Sequence, residues 1–142
     1  MKKYNVGIIG YGWVATAHIA AINASPHAQV IAIYSSRALN APELSIKYGS
    51  KISTYTNLGA MLAQKDLHVV SVCSYPNQHR DHAVAAAQAG KHLIMEKPLA
   101  LNWDDCLAIK HAVEEAKVKT CVCFECRFSS QFLTTKAILD RG

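Results

Sequence analysis

Gly10, Gly12 and Ala15 stand at G-x-G-x-x-A spacing inside the run V-G-I-I-G-Y-G-W-V-A at residues 6–15. Between a strand and a helix, each position has a physical task. Gly10 permits a tight turn. Gly12 lacks a Cβ, so a pyrophosphate can reach the backbone, and Ala15 lets the helix pack against the strand. The free N–H groups and positive dipole end of such a helix attract phosphate. The implied chemistry is dinucleotide binding, with Gly10, Gly12, Trp13 and Val14 around the phosphates. Trp13 suits either helix packing or cofactor contact.

Three further segments carry reactive groups. Ser35-Ser36-Arg37 falls where an acidic residue would bind the ribose 2′-hydroxyl of NAD. Two hydroxyls and a forked cationic donor there suit the 2′-phosphate of NADP, so NADP is the expected cofactor and NAD the alternative. Ser74-Tyr75-Pro76-Asn77-Gln78-His79 reads as a loop opening a helix N-terminus, a natural ligand position. Glu96-Lys97-Pro98 places a charged pair where the next strand ends. From there Lys97 could bond a ribose or carboxamide, or polarise a substrate hydroxyl, and this position argues against a mere surface salt bridge.

Metal chemistry is not expected. His79 and His82 share an i, i+3 spacing, but no third ligand is evident. Satisfied or solvent-facing histidines are the simpler reading. Cys121 and Cys123 would face one way on a strand and Cys126 the other, so they do not converge. Buried free thiols are expected instead.

The elements needed to position these groups alternate along the chain. Strands are expected at 4–10, 28–34, 52–55, 68–74, 92–95 and 120–124. Helices are expected over about 12–24, 42–48, 57–64 and 78–89, from Asn102, and from Ser129 onward. Asn57 and Asn102 are the expected caps, and Gly49 and Gly90 the stops. Near-continuous apolar strands between helices imply a parallel sheet covered on both faces, a doubly wound α/β domain of three layers. Its ligands bind at the carboxyl ends of the strands, where the strand order reverses.

Composition sets the outer bounds. The 142 residues suit one domain, 51% of them are apolar, and the net charge is +5. The basic residues are scattered and form no nucleic-acid stripe. No apolar run is long enough to span a bilayer. Residues 1–5 lack the apolar core of a signal peptide, and five cysteines form no regular framework, so a cytoplasmic protein is expected.

Four segments together resemble the Gfo/Idh/MocA oxidoreductases, which include glucose–fructose oxidoreductase and inositol dehydrogenase. These are G-I-I-G-Y-G-W-V-A-T-A-H, S-Y-P-N-Q-H at 74–79, A-G-K-H-L-I-M-E-K-P-L-A at 89–100 and C-F-E-C-R-F at 123–128. The resemblance implies hydride transfer between a nicotinamide cofactor and a sugar or polyol hydroxyl. It implies that Ser36 and Arg37 select the cofactor and that Ser74 to His79 lie against the nicotinamide half. Tyr75 replaces the family's proline, with Pro76 one place later. Glu96 and Lys97 match the E-K-P pair, whose lysine contacts cofactor ribose and substrate and aids catalysis. Arg127 matches an arginine near the substrate. The resemblance also implies a C-terminal substrate domain beyond these residues, an apolar surface where it docks, and a homo-oligomer. A non-catalytic dinucleotide-binding module is the alternative.

Overall fold

The computed structural model describes residues 3–142; Met1 and Lys2, on which the reading of the N-terminus partly rests, lie outside it. Six strands are β1 Tyr4–Ile9, β2 Ala28–Tyr34, β3 Ser53–Tyr55, β4 Val69–Val72, β5 His92–Met95 and β6 Thr120–Val122. Six helices are α1 Trp13–Ala24, α2 Ala41–Tyr48, α3 Leu58–Leu62, α4 His79–Gln88, α5 Trp103–Glu115 and α6 Ser130–Leu139. The sheet order is β3-β2-β1-β4-β5-β6, and every pairing is parallel. The chain winds outward from β1 in one direction, then returns to β1 and winds out in the other. The order therefore reverses between β1 and β4.

Local chemistry sets the helix ends, at Asn57 and Asn102 as read from the sequence and at Asn40 in addition. Asn40, Asn57 and Asn102 accept the backbone N–H three residues on, which satisfies one otherwise orphaned donor at each helix start. Gly49 closes α2 in the left-handed conformation.

One face of the sheet packs Ile9, Val70, Val72, Leu93 and Met95 against α3, α4 and α5. The other packs Ile8, Val30 and Ile33 against α1 and α2. This second layer is narrower than expected. Beyond β4 the same face carries half-buried Ile94 and then exposed Cys121, its neighbour in register. No residue of α6 is buried, so that helix does not complete the layer.

Three strand ends also differ. β1 stops at Ile9 and β4 at Val72, where the chain turns into the cleft loops, and β6 stops at Val122. Cys126 lies in the 3₁₀ turn Glu125–Phe128, not on a strand. Of the five free cysteines only Cys73 is buried, and Cys121 and Cys126 are exposed, which corrects the expectation of buried thiols.

Gly10 is the tightest point. Its φ is +91°, and a Cβ built on it would meet the Ser74 backbone at 2.9 Å. Gly49, with φ +63°, faces open space. Gly49→Ala should therefore cost about 1–2 kcal/mol from backbone conformation alone. Gly10→Ala should cost clearly more, about 3 kcal/mol or above, because strand ends must also separate. Urea unfolding of the two variants measures the difference, and equal midpoints would refute the close approach.

Candidate functional site

A cleft of about 620 Å³ opens where β1, β2 and β4 end. Three segments line it, residues 10–14, 34–37 and 73–75, together with Gln78 and His82. Each segment immediately follows a strand, so the parallel sheet aims all three at one point. The volume lies in the range of small-molecule and cofactor sites.

The glycine turn forms the floor. Gly12 caps α1 without any side-chain bond, leaving the first helical N–H groups free to meet an anion. A Cβ on Gly12 would meet no atom within 4 Å; the vacant volume belongs to the cleft that Gly12 lines. The adjoining Tyr11 is fixed by a 3.0 Å bond between its hydroxyl and that of Tyr48. Trp13 is 86% exposed and forms part of the rim, so its packing against the helix is excluded.

The loop after β2 divides its labour. Ser35 is buried; its N–H donates to Tyr55 O, and its Oγ accepts the Arg37 N–H at 3.3 Å. Ser36 and Arg37 are exposed. The Arg37 guanidinium donates to Tyr11 O at 3.3 Å, which draws a cation toward the phosphate turn. Ser35 thus shapes the loop, and Ser36 and Arg37 face the ligand space.

The loop after β4 presents Ser74 and Tyr75 to the cleft, whereas Asn77 is exposed outside its lining. The Ser74 hydroxyl bonds His82 Nδ1 at 2.8 Å, and the His82 ring packs edge-on against Tyr34. Burial holds the His82 imidazole below the ordinary histidine range. His79 departs from expectation. It is fully buried, with Nε2 3.0 Å from Ser74 O and Nδ1 2.8 Å from Pro98 O. It ties two loops together and touches no ligand space.

Glu96 and Lys97 part company. Glu96 is buried, its Oε1 2.9 Å from His18 Nε2, and its Oε2 accepts the Lys97 N–H. His18 Nδ1 in turn meets Ser71 Oγ at 2.8 Å. Lys97 stands outside the cleft lining, with Nζ 3.0 Å from a Glu125 carboxylate oxygen. That carboxylate holds the ammonium above the ordinary lysine range. The surface ion pair set aside on positional grounds is thus the contact present. Arg127 is exposed on the 3₁₀ turn, also outside the lining. Of the expected set, the structure brings together Gly10, Gly12, Trp13, Val14, Ser35, Ser36, Arg37, Ser74 and Tyr75. It does not bring Asn77, His79, Glu96, Lys97 or Arg127 to the same cavity. Tyr11, Tyr34, Cys73, Gln78 and His82 line the cleft without having been expected. Tyr11 lay inside the glycine motif, and the strand-end rule applied equally to Tyr34 and Cys73. Gln78 and His82 gave only the loop-to-helix signal.

Comparison with known proteins agrees with this geometry. Residues 4–124 match an oxidoreductase family described by its NAD-binding Rossmann fold. Levoglucosan dehydrogenase from Pseudarthrobacter phenanthrenivorans is 31% identical over 100% of the chain and 38% of its own length. Inositol 2-dehydrogenase from Gluconacetobacter diazotrophicus is 31% identical over 96% of the chain and 41% of its own length. Among solved structures, the WlbA dehydrogenase of Bordetella pertussis, in complex with NADH and UDP-GlcNAcA, superposes with a TM-score of 0.86. It is 26% identical, over 99% of the chain and 43% of its own. The chain thus spans about two fifths of the length of these relatives.

Cys73 gives a chemical test of the cleft wall. Burial pushes its thiol up to about 11 from 9.0. At pH 8 its thiolate fraction is then about a hundredfold below that of an unperturbed thiol. Iodoacetamide followed by peptide mass spectrometry should modify exposed Cys121 and Cys126 first and leave Cys73 unmodified until the chain is unfolded. Early labelling of Cys73 would show an open wall.

Proposed function

We propose that this chain, which belongs to the oxidoreductase family with an NAD-binding Rossmann fold, is the cofactor half of a sugar or polyol dehydrogenase that prefers NADP. The carrying observation is the end of β2. No acid stands there to bond a 2′-hydroxyl or repel a 2′-phosphate, and exposed Ser36 and Arg37 border the cleft instead. The forked guanidinium suits a phosphate dianion.

The residues that line the cleft suit the dinucleotide. The α1 N-terminus, from Gly12 to Val14, holds the pyrophosphate through backbone N–H groups. Ser36 and Arg37 hold the 2′-phosphate, and Ser74 and Tyr75 lie along the nicotinamide half. Bound there, the nicotinamide supplies or accepts the hydride. Lys97, two residues past β5, orients the substrate hydroxyl once it leaves Glu125. Proton transfer is completed by groups of a substrate domain. The names of levoglucosan dehydrogenase and inositol 2-dehydrogenase support the substrate class. Exposed Phe124, Phe128, Phe132, Leu133 and Leu139 offer that domain an apolar surface. The same surface suits a homo-oligomer of the whole protein. Five free thiols suit the reducing cytoplasm.

Calorimetric titration with NADPH and NADH tests this reading. The chain should bind NADPH more tightly, and Arg37→Asp should weaken NADPH by about tenfold to a hundredfold. NADH should lose far less. An unchanged preference would remove Arg37 from the site, and no binding of either would favour a role without cofactor. Turnover by the chain alone would refute the dependence on a substrate domain.

A further inference from the structure

Beneath the strand ends, outside the cleft lining, three potential ligands meet from three distant elements. His18 comes from α1, Glu96 from the end of β5 and Cys123 from the residue after β6. We propose that His18, Glu96 and Cys123 form a site for one zinc-class divalent ion, with water as the fourth ligand.

The geometry is close to what such an ion needs. One ligand atom from each residue lies within 4.8 Å of the other two. Zinc bonds of about 2.0–2.1 Å to nitrogen and oxygen, and 2.3 Å to sulfur, put tetrahedral ligands roughly 3.3–3.6 Å apart. The Nε2 to Oε1 distance of 2.9 Å must open by a few tenths of an ångström. The sulfur must draw in by at most about 1.2 Å.

The surrounding bonds already orient the donors. Ser71 Oγ, 2.8 Å from His18 Nδ1, can accept the Nδ1–H, which turns the Nε2 lone pair toward the ion. Glu96 Oε2 is held by the Lys97 N–H at 3.1 Å, leaving Oε1 for the metal. Cys123 is fixed through its N–H, which donates to Met95 O at 2.8 Å. The His18 and Glu96 side chains are only 14% and 10% exposed, so little water competes. One thiolate, one imidazole and one carboxylate suit zinc and not magnesium or calcium. On binding, the Cys123 S–H bond breaks, its proton leaves to solvent, and the sulfur pair forms the Zn–S bond. No oxidant is involved. The ion would staple β5 and β6 to α1, directly beside Lys97.

Titration of the reduced, metal-free chain with Co²⁺, followed by Zn²⁺ displacement, tests the site without reference to any nucleotide. Expected are one equivalent bound at about micromolar affinity or tighter, a near-ultraviolet thiolate charge-transfer band, and visible bands of tetrahedral intensity. Cys123→Ser should abolish the charge-transfer band. Ser71→Ala should weaken binding tenfold to a hundredfold. Cys121→Ser and Cys126→Ser should change neither. X-ray absorption of the unaltered zinc-loaded chain should show one sulfur and three lighter ligands, which keeps the test independent of whether a variant folds. Absence of one-to-one binding, a sulfur-free shell, or a band that survives Cys123→Ser would overturn the proposal.

Discussion

The rest of the structure depends on how closely the ends of β1 and β4 approach each other. At Gly10 the two backbones leave no room for even a methyl group. Hydrogen bonds clamp the junction from both sides, from Gly10 N to Tyr34 O at 2.9 Å and from Cys73 N to Ile9 O at 2.8 Å. That closeness points the glycine turn into the gap between two oppositely wound halves. The cleft follows from this reversal of winding and needs no cavity carved into the core.

Buried polar groups then fix what the reversal leaves loose. Lys91 is almost fully buried, and its ammonium donates to Gln64 O and Leu67 O, pinning the loop that leads into β4. Desolvation holds this lysine below its ordinary range, and the two carbonyls stabilise the charge that remains. His79 performs the corresponding task for the loops after β4 and β5. Among the described residues no buried side-chain nitrogen or oxygen lacks a partner. A network satisfied to this degree specifies one loop arrangement.

The α/β class, the six strands and the helix caps were legible because each has a local signature. Apolar runs such as V-V-S-V mark buried strands, and Asn57 and Asn102 act within three residues of themselves. The phosphate turn was legible for the same reason. His79 was expected along the nicotinamide half, whereas its partners are carbonyls at Ser74 and Pro98, which no side-chain pattern announces. The Ser71–His18–Glu96 chain was missed because its members join only when strands separated by whole helices become neighbours. Lys97 was assigned by its strand end, yet two residues past β5 its side chain reaches Glu125 and stands outside the cleft. Proximity to a strand end is inherited from topology, but direction alternates residue by residue.

The last helix differs in kind from the other five. Its ten residues, Ser130–Leu139, bury none of their side chains and keep Phe132, Leu133, Ile138 and Leu139 in water. Its support is local, through the Ser129 cap and the Lys136–Asp140 pair. A helix this short, held only by local contacts, is marginal in water. Its amides should thus exchange with solvent on the timescale of a free peptide, while those of β1 and β4 wait for global opening. Folding of this segment and coverage of its apolar side chains become one thermodynamic event.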